Sequence, residues 1–143
     1  GEWQFMLNMS KLRKLKETST LSDGSTLVEN KVGTAASRES YPEWRGIFST
    51  TLENGAWTST YNARYIGGTT EMASGSPRDI ESVIYHNISA SYQFEGGTAI
   101  KLGINNLADK QPPSSLTNLN INFDQNTYNA VGRFTYVQVS HEF

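Results

Sequence analysis

Apolar and polar residues alternate through most of this chain, and the alternation has the period of a β-strand, whose successive side chains point to opposite faces. The last such stretch, Thr127 to Phe143, sets Thr135, Val137, Val139 and His141 against Tyr136, Gln138, Ser140 and Glu142. At the other end, Glu2 to Ser10 sets Trp3, Phe5, Leu7 and Met9 against Gln4, Met6, Asn8 and Ser10. Tyr41 to Leu52 carries Trp44, Phe48 and Leu52 opposite Arg45, Ser49 and Thr51. Ala56 to about Thr70 carries Trp57, Tyr61, Ala63 and Tyr65 opposite Thr58, Thr60, Asn62 and Arg64. In Ser82 to Phe94, residues Ile84, His86, Ile88, Ala90, Tyr92 and Phe94 oppose Tyr85, Asn87, Ser89, Ser91 and Gln93. In Thr98 to Asn106, residues Ile100, Leu102 and Ile104 oppose Lys101, Gly103 and Asn105. The pattern predicts an all-β, antiparallel fold of six strands.

The connections differ systematically in length. Glu17 to Ser40, Glu71 to Asp79 and Leu107 to Asn126 read as long polar loops, whereas Glu53-Asn54-Gly55 and Glu95-Gly96-Gly97 read as tight turns. Pro112 and Pro113 cannot donate ladder hydrogen bonds and end the fifth strand, and Gly132 marks an expected bulge in the sixth. Long and short connections alternate, so both tight turns and the C-terminus fall at one end of the sheet. Transmembrane β-barrels have this arrangement, with short periplasmic turns, long outer loops, an apolar outer face and a polar lumen. Trp3, Trp57 and Phe94 would lie near the periplasmic interface and Trp44 and Tyr65 near the outer one, as aromatic girdles require. Six strands are fewer than the roughly eight of the smallest bacterial barrels, so further strands are expected, most simply upstream. A soluble all-β binding module, such as a carbohydrate-binding sandwich with exposed Trp and Tyr platforms, is the alternative that the alternation leaves open.

Composition narrows the function more than the fold. A net charge of -2 gives no electrostatic footprint for nucleic acid. Without cysteine there is neither a disulfide framework nor a thiolate metal site. No run approaches the roughly 18 apolar residues of a membrane helix, and the mean hydropathy is negative, but alternation cancels in any window across a barrel strand. No signal-peptide pattern precedes the first strand, which fits the back part of a longer chain.

The segment Gly103-Ile104-Asn105-Asn106-Leu107-Ala108-Asp109-Lys110-Gln111-Pro112-Pro113 resembles the Asn-Asn-Leu-Phe-Asp-Lys segment near the C-terminus of TonB-dependent outer-membrane receptors. Thr127-Tyr128-Asn129, Gly132-Arg133-Phe134 and the terminal Phe143 resemble the closing strand of that family. Ala108, where the family usually has an aromatic, and His141, where it often has Tyr, depart from the pattern. The resemblance implies a barrel of about 22 strands closed around an N-terminal plug, with residues 1–143 as its last six strands and the plug and TonB-binding box absent. It further implies TonB-dependent uptake of a siderophore, oligosaccharide or similar nutrient in the bacterial outer membrane, with no cofactor and no covalent chemistry. The implied partners are the remaining strands and plug of the same polypeptide, the TonB complex, outer-membrane lipid and lipopolysaccharide, and the machinery that assembles barrels from their C-terminal strand.

Candidate residues follow from face and position. Arg45, Asn62, Arg64, Tyr85, Asn87, Lys101 and Asn105 share the polar face and are candidates for facing a ligand or the plug; Arg45 and Arg64, as cations expected to need a carboxylate, are the plug candidates. Lys11, Arg13, Lys14 and Lys16 are candidates for lipopolysaccharide phosphates, against the plainer reading of a solvated loop base or a short basic amphipathic helix using Leu12 and Leu15. Val137, Val139, His141 and Phe143 are candidates for barrel closure and the assembly signal. Tyr41, Phe123 and Tyr128 are loop candidates for ligand capture. His86 and His141 lie in separate strands without convergent metal ligands, and no nucleophile elbow or H-E-x-x-H is present, so neither a metal site nor catalysis is expected.

Overall fold

The computed structural model describes residues 1–142. Phe143, a candidate for the assembly signal, lies outside the described residues. The described chain is all-β, without helix. Six strands form one antiparallel meander: β1 (Glu2–Lys11), β6 (Trp44–Asn54), β7 (Trp57–Ile66), β10 (Val83–Gln93), β11 (Thr98–Asn105) and β12 (Phe134–His141). Six short strands sit in the long connections. β2 (Lys16–Thr20) and β3 (Thr26–Asn30) make a separate ribbon. β4 (Thr34–Ala36), β5 (Glu39–Ser40), β8 (Thr69–Ala73) and β9 (Ser76–Ile80) make a four-stranded sheet in which β4 and β8 run parallel. Among the described residues no closed barrel forms, and both β1 and β12 leave one edge unpaired.

One register runs across the large sheet, so two neighbouring rows have opposite character. Trp3, Leu52, Ser59, Ala90, Leu102 and Val137 are successive cross-strand partners on one face. Gln4, Thr51, Thr60, Ser89, Gly103 and Tyr136 are successive partners on the other. The apolar face is uncovered: Leu7 is 69% and Val137 65% exposed. At the short-turn end of this face, the Trp57 and Tyr92 rings meet edge-on at 4.9 Å, and Tyr92 meets Phe94 at 4.7 Å. Polar groups on the same face satisfy one another, with Tyr61 Oη 2.7 Å from His86 Nδ1 and Thr98 Oγ1 2.9 Å from His141 Nδ1.

The buried cluster lies on the polar side of the sheet. Ile66, Val83 and Tyr85 project from that face at its long-loop end, where Tyr128 from the last long connection packs on them with Phe123 alongside. This connection therefore folds inward over the polar face instead of standing away from the sheet.

Several expected boundaries move. The third strand ends at Ile66, not at Thr70, because the chain passes Gly67 close against its neighbour: Gly67 N–H donates to Trp44 O at 2.9 Å, and a Cβ there would lie 2.8 Å from that oxygen. The second strand begins at Trp44 rather than Tyr41. The first tight turn is centred on Gly55 and Ala56, since Asn54 still pairs with Trp57. The closing strand begins at Phe134 rather than Thr127. Gly132 adopts φ +75° outside any strand, so it is a loop residue and not a bulge, and Asp109 Oδ1 accepts the Arg133 N–H at 2.8 Å just before the strand starts. Residues 11–16 form no helix. Leu12 N–H instead donates to Glu43 O at 2.8 Å, and Lys16 opens β2.

Gly103 carries a tight packing constraint in the sheet. The Tyr136 ring lies across it on the polar face, where a Cβ would come within 2.3 Å of the ring. Gly103→Ala should therefore cost about 1–3 kcal/mol as overpacking, read as a lower urea midpoint at unchanged slope. In a Tyr136→Ala background the same change should cost close to nothing, a coupling that a purely backbone effect of Gly103 would not produce.

Candidate functional site

The polar face gathers most of the residues singled out for it. Arg64, Tyr85, Asn87 and Asn105 line a hollow of about 250 Å³ at the long-loop end, closed by Asn129 and Phe134. A second hollow of about 170 Å³ adjoins it across Arg64 and is lined by Arg45, Asn8 and Ser10. Asn62 pairs with Asn87 in the same row as Ser49, beyond the lining of either hollow. Lys101 lies further toward the short-turn end, between Ser91 and Gln138.

The two arginines differ from their expected setting. Both are exposed rather than buried, and neither has a carboxylate within ion-pair distance among the described residues. Each donates to a main-chain carbonyl, Arg64 Nη2 to Thr127 O at 3.3 Å and Arg45 Nη2 to Ser40 O at 3.2 Å. Tyr85 is only partly a lining group, since it is buried against Ile66, Val83 and Tyr128. Asn87 Oδ1 accepts the Asn106 N–H at 2.9 Å, which leaves its amide N–H groups for the hollow.

The Asn-Asn-Leu-Ala-Asp-Lys segment has a structural task here. Asn106, at φ +51°, donates from Nδ2 to Lys110 O and accepts the Lys110 N–H at Oδ1, at 2.9 and 2.8 Å. Asp109 three residues later receives Arg133, so one short segment ties the entry of the last long connection to its exit. The connection between them has its own anchor.

That anchor is Glu71, which is fully buried at 0% exposure and was read from sequence only as the first residue of a loop. Its Oε1 accepts Arg78 Nη1 at 2.6 Å and Leu116 N–H at 2.9 Å; its Oε2 accepts Ser115 Oγ at 2.7 Å and Thr117 Oγ1 at 2.9 Å. Arg78 also reaches Ser114 O and Oγ, both at 2.9 Å. Burial pushes the carboxyl group up, but hydrogen bonds from Leu116, Ser115, Arg78 and Thr117 outweigh it and hold Glu71 at about 2, below its usual 4.5. Further bonds tie the same connection to the first one, from Ser37 N–H to Thr117 Oγ1 at 3.0 Å and from Asn126 Nδ2 to Arg38 O at 2.9 Å. The three long connections thus form one cap; Ser74-Gly75 signals the turn between β8 and β9, but no local pattern signals the cap itself.

The remaining candidates separate. Tyr128 and Phe123 pack in or against the core and are not available for capture, while Tyr41 is held by Glu39. Lys11 pairs with Glu43 at 2.9 Å over the Trp44 ring, whereas Arg13, Lys14 and Lys16 are exposed beside it. Val137, Val139 and His141 share the apolar face of the edge strand β12. That face also carries an apolar groove of about 600 Å³ between Trp57, Tyr92, Phe94, Ile100 and Leu102.

Compared with known protein families, with curated proteins and with solved structures, the chain gives no match.

The Glu71 anchor predicts acid release of the cap. A carboxyl group depressed on folding contributes stability that is complete above its unfolded value near 4.5 and lost as pH falls through about 2, here on the order of 3 kcal/mol. Hydrogen exchange should show the Leu116 and Thr117 amides losing protection across that window. Glu71→Ala should remove their protection at neutral pH as well, at a cost of roughly 3 kcal/mol. Unchanged exchange in the variant would show that Glu71 does not anchor the loop.

Proposed function

We propose that this chain is a wall segment of a TonB-dependent outer-membrane receptor that takes up a siderophore, oligosaccharide or similar nutrient. The observation that carries the reading is the uncovered apolar face of a sheet whose other face is polar and roofed by long loops. In water each large apolar side chain left exposed forgoes about 1.5–3 kcal/mol. With Trp3, Phe5, Leu7, Met9, Leu102, Val137 and Val139 all exposed, the sum is on the order of 10 kcal/mol, as large as the whole stability of an ordinary domain. Lipid removes that deficit without any second sheet.

Connection lengths support the same reading. Both tight turns lie at one end of the meander and all three elaborated connections at the other, as in transmembrane barrels. The two unpaired edges, β1 and β12, cannot face hydrocarbon with open backbone groups, so other strands complete the wall. On this reading the polar face is the inner wall and the anchored cap part of the outer mouth, with Lys11, Arg13, Lys14 and Lys16 at the outer lipid boundary. Energy coupling would reach this segment through the plug and TonB. The soluble-sandwich alternative fits less well, because the buried cluster lies on the polar side and no second sheet packs on the apolar one among the described residues.

Intact-mass analysis of the native polypeptide tests the proposal. It should sediment with outer membranes, exceed these 143 residues several-fold and carry upstream a plug-forming segment. A soluble polypeptide of this length alone would contradict it.

A further inference from the structure

Arg45 and Arg64 place two cations side by side on the polar face. The register sets Arg64 opposite Ile47 and Arg45 opposite Ile66, so the two guanidinium-bearing residues are diagonal neighbours on one face. Neighbouring like charges oppose each other, and among the described residues no carboxylate lies within ion-pair distance of either. Of the cap's carboxylates, Glu43 pairs with Lys11 and Glu71 with Arg78, while Asp124 Oδ1 accepts the main-chain N–H groups of Asn126 and Thr127 and its Oδ2 is buried beside Tyr128 without a hydrogen bond among the described residues. Each arginine gives one donor to a carbonyl, so most of its five N–H groups remain open.

The side chains that line the hollows on either side of Arg64 add donors and acceptors but no carboxylate. Asn87 offers its amide N–H groups, Asn105 offers a whole carboxamide, and Phe134 supplies an apolar wall. No Asp or Glu lines either of the two hollows that Arg64 separates. A ligand complementary to this surface brings its own anionic oxygens for the guanidinium groups, whose bidentate fork matches a planar carboxylate as well as a phosphate. It also brings hydroxyl groups that both donate and accept, which neighbouring carboxamides match.

We infer that the hollows on either side of Arg64 bind a small hydroxylated carboxylate, its carboxylate on Arg64 and Arg45 and its hydroxyl groups on Asn87 and Asn105. The inference rests on the reading of the polar face as an inner, water-filled wall, and it narrows the ligand class which that reading leaves open. The Asn106 bracket fixes the rim, since it holds Asn87 and the start of the last connection together.

The test uses the full-length polypeptide in detergent, with glucuronate, glucose and acetate as probes in calorimetry. Glucuronate should bind roughly tenfold or more tighter than either glucose or acetate, because charge-assisted and hydroxyl contacts are both needed. Arg64→Gln should lower glucuronate affinity by a similar factor and leave glucose unchanged, and Arg64→Lys should retain part of the preference. Asn87→Ala should weaken glucuronate without affecting acetate. Equal binding of glucose and glucuronate, or an Arg64→Gln variant that binds glucuronate as before, would overturn the inference. A spin label at Ser49, in the same row as Asn62 and Asn87, separates failure of the inference from failure of the underlying reading. Access of a water-soluble nickel chelate to the label without glucuronate binding refutes the inference alone; a label shielded from water refutes the inner-wall reading first.

Discussion

A single uninterrupted register across six strands is the constraint on which the rest of this structure depends. Side-chain parity is absolute along a strand, so once Trp3 is opposite Leu52 and Leu102 opposite Val137, every other residue of the wall is assigned to a face. A slip of one residue between β6 and β7 would place Asn62 and Arg64 among Phe48 and Leu52. The absence of helices and the alternation of tight turns with elaborated connections follow from the same meander. All three tryptophans, Trp3, Trp44 and Trp57, fall on the apolar side as a result, two of them at the short-turn end and one at the other.

The cap shows how polar interactions can carry structure when the apolar face of the sheet is left uncovered. Glu71 receives donors from four residues, and nearly all of them lie far along the chain, up to 46 positions away. A buried carboxylate with fewer partners would be costly, but this one is satisfied on both oxygens, so its burial fixes loop position. Asn106 and Asp109 do the same at the base of the last connection, where side-chain bonds replace a strand ladder. Between these anchors Tyr128 is brought down onto Ile66, Val83 and Tyr85, which turns a surface loop into the roof of the polar face.

The wall was legible because its information is local. Alternation within each of the six segments gave both the strand and the face of each residue, and the polar set from Arg45 to Asn105 shares one face as that parity required. The cap was not legible for the opposite reason. Glu71, Ser115 and Thr117 are ordinary members of polar stretches until folding brings them together, and the parallel pairing of β4 with β8 has no signature in either segment. The early start expected for the closing strand has a physical origin too. Thr127 and Tyr128 carry the residue types of a strand, but burial of Tyr128 and the bond from Arg133 N–H to Asp109 outweigh that preference. The paired arginines were found by parity, whereas their lack of carboxylate partners required the register and the ion pairs of the cap.

The most direct test of the account is tryptophan fluorescence in vesicles made from lipids brominated along the acyl chain, with Trp3, Trp44 and Trp57 as native probes. If the apolar face meets lipid, bromines should quench all three, those near the chain ends less than those near the headgroups, and aqueous iodide should have little effect. Emission that iodide quenches and bromolipid leaves unchanged would contradict the account, because the apolar face would then be in contact with water.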